Sequence, residues 1–400
     1  MKRAWMIIPT YFPVIGGAQV QVQQLSEALS GQSWEVAVIT RRHSYAHPRG
    51  LPARGAQQGI PVRRLYSRGG GKLGSALFVA SGLWFFARRG RGGVYHAHDT
   101  GAAGWLAVLA ARLLGGRSLI KLRTGRNAYE DSLRSPLVRR GFWALVRTAD
   151  RVIVVNREVQ AWLIDSGLPP ERVAWIPNGV DTERYCPPSA GQRAAARARL
   201  GLKAGDRAVL YVGRLEHMKG VDVLLRAWAA LAPSDRQDAR LLVVGDGPER
   251  SNLEALAGAL ETGDSVHFAG EQPAVLPYYH AANLFALPSR TEGLSNALLE
   301  AMACALPVVV SNIGGAKDLV QDGHNGLVFE SEDAAGLTAR LEALLSNPAV
   351  WARYGQAARA SVMANASLTA TIERTAERYR QLTGTAQPTP GEWAVPPRDS

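Results

Sequence analysis

The chain has 400 residues, of which 46% are hydrophobic and 20% charged, and its formal net charge is +12. That length exceeds one ordinary core and suits two domains, while the composition excludes a disordered chain. No apolar run is long and uninterrupted enough to span a bilayer, and two cysteines without a CxxC pattern exclude a disulfide framework or a zinc site. The opening MKRAWMIIPT reads as a buried strand rather than a signal peptide, so a cytoplasmic protein is expected.

In chain order, Ala4 to Ile8 reads as a strand, Pro9 to Ile15 as a loop, and Gly16-Gly17 as the opening of a helix with Ala18, Val22, Leu25 and Leu29 on its apolar face. Strand, glycine turn and helix let backbone approach a phosphate in nucleotide-binding α/β folds, although the full G-x-G-x-x-G fingerprint is absent. Strands recur at Trp34 to Thr40, Ile60 to Leu65, Val94 to His98, Ser118 to Arg123, Arg151 to Val155 and Val173 to Ile176, mostly separated by helical patterns. Such alternation predicts a parallel sheet with helices on both faces. Much of the positive charge lies in this half, at Arg63, Arg64, Arg68, Lys72, Arg88, Arg89 and Arg91 and at Arg134, Arg139, Arg140 and Arg147, with Trp84, Phe85, Phe86, Leu137, Phe142 and Trp143 among them. Two readings of that mixture stay open: an interfacial contact with an anionic membrane, or a solvated basic face.

Near Pro177 the run IPNGVDTERYCPPSAGQ has the proline, glycine and polar content of an interdomain link. The domains expected from this are 1–183 and 184–367. A helix is expected at Arg193 to Leu200, then strands at Ala208 to Val212, Arg240 to Val244, Ser265 to Ala269, Leu284 to Leu287 and Pro307 to Ser311. Helical patterns dominate from Phe329 to about Leu382, and the proline-rich stretch 384–400 is expected to be disordered. Cys304 falls on an apolar helical face and reads as core.

Two stretches of the second half carry chemistry. YVGRLEHMKGVDVLLRAW places Gly213, Arg214 and Lys219 in the loop after a strand, where ligands bind in parallel sheets, and the two cations suit a diphosphate. TEGLSNALLEAMA places Glu292 at a helix mouth and Glu300 two turns further in. A helix N-terminus offers unpaired N–H groups to phosphate, and two acids roughly 11 to 12 Å apart along a regular helix can grip two ends of an extended polyhydroxylated ligand. Together they suit a nucleotide sugar; taken singly, each also reads as a solvated surface helix or a solvated basic loop.

The series IGGAQVQVQQLSEAL, ADRVIVVN, IPNGVDTERY, YVGRLEHMKGVDVLLRAW, LLVVGDGPERSNLE, LPSRTEGLSNALLEAMACALPVV and GGAKDLVQDGHNGLVF resembles the family-4 retaining glycosyltransferases of the GT-B fold, from residue 4 to about 380. The resemblance implies an α/β protein of two Rossmann-like domains facing a cleft, with a last helix, about 368–382, packing back on the first domain. It implies that Arg214 and Lys219 bind the donor diphosphate, that Glu292 faces the transferred sugar, and that Glu300 holds the ribose. It further implies that backbone at Leu294, Ser295, Asn296 and Ala297 meets the phosphates, and that Gly16 and Gly17 approach ligand from the first domain.

No D-x-D motif occurs in the sequence, so no metal and no cofactor beyond a UDP- or GDP-linked co-substrate is expected. Many members carry a histidine after the fifth strand of the first domain, whereas this chain reads LIKLRTGRN, so Arg123 or Arg126 is a candidate for phosphate or an anionic acceptor. His98 is a candidate acceptor-side group, and His96, which alternates with it, is expected to pack. The expected activity is sugar transfer to a glycan or lipid-linked acceptor for a cell surface, with peripheral membrane contact and no nucleic acid. A nucleotide-sugar 2-epimerase and a non-catalytic nucleotide-binding relative are the alternatives.

Overall fold

Short runs rich in valine, isoleucine and leucine, buried on both faces, form the strands, as in parallel sheets covered by helices. A computed structural model describes residues 2–14, 16–43, 47, 49–68, 71–203 and 205–384. Two units divide the chain: one runs to Ile176 and takes the chain back from Thr371, and the other is Pro177–Ala370.

The strands of the first unit are β1 (Arg3–Ile7), β2 (Glu35–Arg41), β3 (Arg54–Gln57), β4 (Ile60–Leu65), β5 (Val94–Ala97), β6 (Arg117–Leu122), β7 (Arg151–Val154) and β8 (Val173–Trp175). They lie in the order β3-β4-β2-β1-β5-β6-β7-β8, and all neighbours are parallel except β3 and β4. Sequence reading missed β3, because RGAQ has no apolar alternation. It is an edge strand made by a hairpin at Gln58-Gly59, whose φ values of 45° and 81° match the turn that joins twisted antiparallel strands. The strand order reverses between β1 and β5.

The second unit holds β9 (Arg207–Val212), β10 (Ala239–Val244), β11 (Val266–Gly270), β12 (Leu284–Leu287), β13 (Val308–Ser311) and β14 (Leu327–Phe329). Their order is β11-β10-β9-β12-β13-β14, parallel throughout, and it reverses between β9 and β12. Tyr211, Leu224, Trp228 and Leu341 are fully buried in its core, and Trp228 Nε1 donates to Ser265 Oγ at 3.0 Å. Cys304 is buried as expected of a core thiol.

The units part between Ile176 and Pro177 rather than at 183. The reason is local: the Val180 amide donates to Ala366 O at 3.0 Å, the Leu368 amide donates to Val180 O at 2.8 Å, and Arg359 donates to Thr182 O at 3.3 Å. The proline-rich run is therefore held by the second unit instead of spanning freely. The helix Leu368–Thr383 returns to the first unit, where Tyr379 is fully buried, hydrogen-bonded to His96 Nδ1 at 2.7 Å, with its ring 5.2 Å from that of Trp34. Apart from Gly384, the tail expected at 384–400 lies outside the described residues. Among those residues no helix is long and apolar enough to cross a membrane.

Candidate active site

A reversal of strand order leaves a crevice at the carboxyl ends of the two strands flanking it, because their loops turn to opposite faces. In the second unit those strands are β9 and β12, neighbours through Leu284 opposite Val209. The loop after β9 carries Gly213, Arg214 and Lys219, and the loop after β12 carries Glu292. Both sequence-predicted stretches thus leave the sheet side by side.

Backbone contact sets their spacing. Gly220 has φ +65°, and a Cβ there would lie 2.0 Å from Pro288 O; Gly314 has φ +47°, and a Cβ there would lie 2.0 Å from Glu292 O. A side chain at Gly220 would force apart the loops that carry Lys219 and Glu292, and one at Gly314 would push the loop after β13 away from Glu292. Arg290 fastens the same loops. Its amide donates to Met218 O at 2.9 Å, and its guanidinium donates to His217 O at 2.7 Å and to both Asp222 carboxylate oxygens at 2.8 and 2.9 Å. Burial would raise the Asp222 carboxyl, but hydrogen bonds from Arg290 and Arg226 outweigh it and hold the group below its ordinary range.

Across this seam Lys219 Nζ donates to Glu292 Oε2, with both side chains largely shielded. An ammonium has three N–H donors, so Lys219 can keep this partner and still donate to a ligand. Arg214 behaves differently: its guanidinium, 65% exposed, pairs with Glu216 at 3.0 Å, while Tyr211 Oη donates to Arg214 O at 3.0 Å and holds the loop backbone. The structure brings Lys219 to Glu292 and leaves Arg214 at the rim.

The helix after Glu292 starts later than the apolar spacing predicts, at Asn296, and runs only to Ala303. Ser295 is its N-cap, accepting from the Leu298 amide at 3.4 Å. Residues 292–295 are thus loop, and the axial separation expected for a continuous helix from Glu292 to Glu300 does not apply. Asn178 secures the helix mouth, its Nδ2 donating to Leu294 O at 3.2 Å and to Asn296 Oδ1 at 3.1 Å. Glu300, one turn inside, accepts from Tyr279 Oη at 2.8 Å and from the Tyr185 hydroxyl. Burial pushes its carboxyl up to about 7, against the opposing hydrogen bonds from those tyrosines.

In the first unit, Gly16 is the N-cap of the helix Gly17–Gly31. A Cβ on Gly16 would lie 2.8 Å from Gln19 Oε1, and Gln19 Nε2 donates to Thr10 Oγ1 at 3.0 Å, which ties the loop after β1 to that helix. His98 follows β5 on the other side of the reversal, with its amide donating to Ile7 O at 2.9 Å. His96, in β5, and His98, just past its end, do not alternate between faces: two residues apart they share a face, their ring centroids 4.0 Å apart. Burial holds the His98 imidazole well below its usual range, aided by His96, Lys121 and Arg123, so it is neutral; among the described residues nothing bonds its Nε2. Arg123 lies 3.6 Å from Asp99, and Arg126 donates to Glu130 at 2.8 Å on an exposed helix face.

Sequence reasoning missed Arg290, Asp222, Asn178, Tyr279 and Tyr185. Arg290 stands two residues before Glu292, but its partner is 68 positions away, a separation that no local pattern reveals.

Two doubly wound α/β units, one bearing a lysine–carboxylate pair and a tyrosine-bound glutamate beside its strand-order reversal, define the GT-B type of glycosyltransferase. The family described as Glycosyltransferase Family 4 matches residues 15–184, and that described as Glycosyl transferases group 1 matches residues 192–361. A D-inositol 3-phosphate glycosyltransferase from Rhodococcus jostii (strain RHA1) is 31% identical over 362 residues, covering 83% of this chain and 77% of the relative. A sucrose-phosphate synthase from Thermosynechococcus elongatus superposes with a TM-score of 0.82 at 26% identity, covering 96% of this chain and 100% of that one. HepE from Anabaena, solved in complex with UDP and glucose, shares the fold with a TM-score of 0.79 at 21% identity, over 94% of this chain and 99% of its own. The chain belongs to the family-4 glycosyltransferases.

Proposed function

We propose that this glycosyltransferase moves a sugar, with retention of configuration and without a metal ion, from a UDP- or GDP-linked donor to a glycan or lipid-linked acceptor that carries phosphate, in cell-surface assembly at the inner face of the membrane. The observation that carries the reading is the Lys219–Glu292 pair at the strand-order reversal, one short loop from a helix mouth and from Glu300. An uncharged sugar, a diphosphate and a ribose have matching partners there: the Glu292 carboxylate, the Lys219 ammonium with the amides after Ser295, and Glu300.

In such a transfer the bond from the anomeric carbon to the phosphate oxygen breaks and the bond to the acceptor oxygen forms on the same face. The acceptor proton passes to the departing phosphate. Negative charge develops on the diphosphate, so a cation fixed opposite it lowers the barrier most. Lys219 supplies that charge from a partly shielded position, Arg214 adds to it from the rim, and Glu292 orients the ammonium and faces the positive charge growing on the sugar. An acceptor phosphate is favoured by the relatives, since the names of the inositol phosphate glycosyltransferase and the sucrose-phosphate synthase both carry one.

Incubation with a panel of radiolabelled UDP- and GDP-sugars in the presence of a chelator tests the reading. Transfer, or slow donor hydrolysis without acceptor, supports it. Inversion at C2 of the donor sugar would identify an epimerase, and binding without turnover would identify a non-catalytic relative.

A further inference from the structure

Away from the groups just described, the first unit contains a cavity of about 290 Å³ between the β3-β4 hairpin and the last turns of the helix Gly71–Arg89. Five arginines line it: Arg54, Arg63, Arg64, Arg88 and Arg89. Trp84, Phe85 and Leu65 form its apolar wall, and among the described residues no acidic one lines it.

The charges are not arranged for stability. Arg54 and Arg63 are directly opposite one another across the hairpin, a like-charged cross-strand pair that weakens a sheet. Among the described residues none of the five pairs with a carboxylate. Arg64 spends its terminal nitrogens on Phe12 O at 3.0 Å and Pro52 O at 3.3 Å, while its Nε is buried without a partner. Arg88 lies over the Trp84 ring, 4.6 Å from its centroid. An anion in the cavity would relieve the repulsion and meet donors already in place.

The surroundings indicate what carries the anion. On the same helix Leu73 is 70% exposed and Trp84 61% exposed, and residues eleven apart, three helical turns, share a face. Lys72 stands at one end of that apolar stripe, and Arg88 and Arg89 stand at the other. Exposed apolar side chains bracketed by basic groups match the boundary of an anionic bilayer, where the rings and aliphatics sink and the cations meet headgroups. The cavity is smaller than those that enclose whole cofactors and has room for a phosphate with a short substituent.

We infer that this arginine-lined cavity is a second binding site, which takes the phosphate of an anionic phospholipid headgroup and seats the first unit on a membrane surface. Flotation of the full-length protein with vesicles of phosphatidylcholine, with and without phosphatidylglycerol, tests it. Wild type is expected to float with the mixed vesicles alone. Arg63→Gln/Arg88→Gln is expected to weaken that binding roughly tenfold or more, and Trp84→Ala to weaken it without changing the charge. Arg139→Gln/Arg140→Gln, which removes two exposed charges that do not line this cavity, is expected to bind as wild type does. Equal losses in the two double variants, or none in the first, would overturn the proposal. So would binding of soluble glycerol phosphate by a wild-type protein that ignores both vesicles, since the ligand would then be a free phosphate ester. Unchanged thermal melting and donor hydrolysis in the variants show that the fold is intact. The inference deepens the membrane location proposed above, and because flotation requires no sugar transfer, it and the transfer reaction fail separately.

Discussion

Glu300 sits where burial and function pull in opposite directions. The unfolded chain ionises an ordinary glutamate near 4.5, whereas burial moves this carboxyl up to about 7. The group therefore lowers the stability of the fold as pH rises from about 4.5 to 7. In the ribose-binding role proposed for it, Glu300 would contribute with the opposite sign, because a carboxylate that accepts two hydroxyls binds best ionised. Donor affinity is expected to fall as pH drops below 7, approaching tenfold per pH unit, and Glu300→Gln should abolish that dependence. Nucleotide titrations at several pH values check both expectations. At Lys219 the charge itself is at issue. Lys219→Met is expected to lower kcat/KM by a factor on the order of 10²–10³, with a smaller loss for Arg214→Met at the exposed rim; equal kinetics in wild type and Lys219→Met would reduce the pair to a structural link. The types and order of these residues were readable in the sequence. Their pairing was not, because the choice of Lys219 by Glu292, and of Glu216 by Arg214, depends on where two loops meet after folding.

Among the elements, the two loops at the β9-β12 reversal act as one piece because Arg290 joins them. Its side chain is only 16% exposed and carries ion pairs to Asp222 and Glu332. Arg290→Met leaves the half-buried Asp222 without its main partner, for which a loss of about 1.5–3 kcal/mol is expected. The same variant should raise the donor KM as the seam loosens, with partial recovery in Arg290→Lys; thermal melts and donor titration measure the two effects. Most strands were legible to within a residue or two, since their apolar runs are short, β-branched and bounded by turns. The edge strands β3 and β14 were not: an edge strand needs little apolar surface, and β14 is only three residues long. Nor was the delayed start of the helix at Asn296, which Ser295 and Asn178 determine by hydrogen bonds that apolar periodicity does not encode.

Across the whole molecule, the doubly wound plan of each unit follows from alternating strand and helix patterns that are legible in the sequence. The division was placed late because IPNGVDTERY has the composition of a linker, yet its backbone pairs with Ala366 and Leu368. Tyr379 anchors the returning helix, buried among Met6, Trp34 and His96. Tyr379→Ala is expected to cost about 3–5 kcal/mol through the cavity it leaves. Amide exchange should show the loss in β1, β2 and β5, with β9 to β13 protected as before; uniform loss across all strands would mean that the units do not open separately.

That returning helix also bears on biosynthesis. The first unit lacks this element until residues 371–383 have been made, whereas Pro177–Ala370 is one uninterrupted stretch that emerges before them. The half translated second can thus reach its native state before the half translated first, and the vacant seat of Tyr379 on the nascent amino-terminal sheet is the surface that a chaperone would have to shield in the interval.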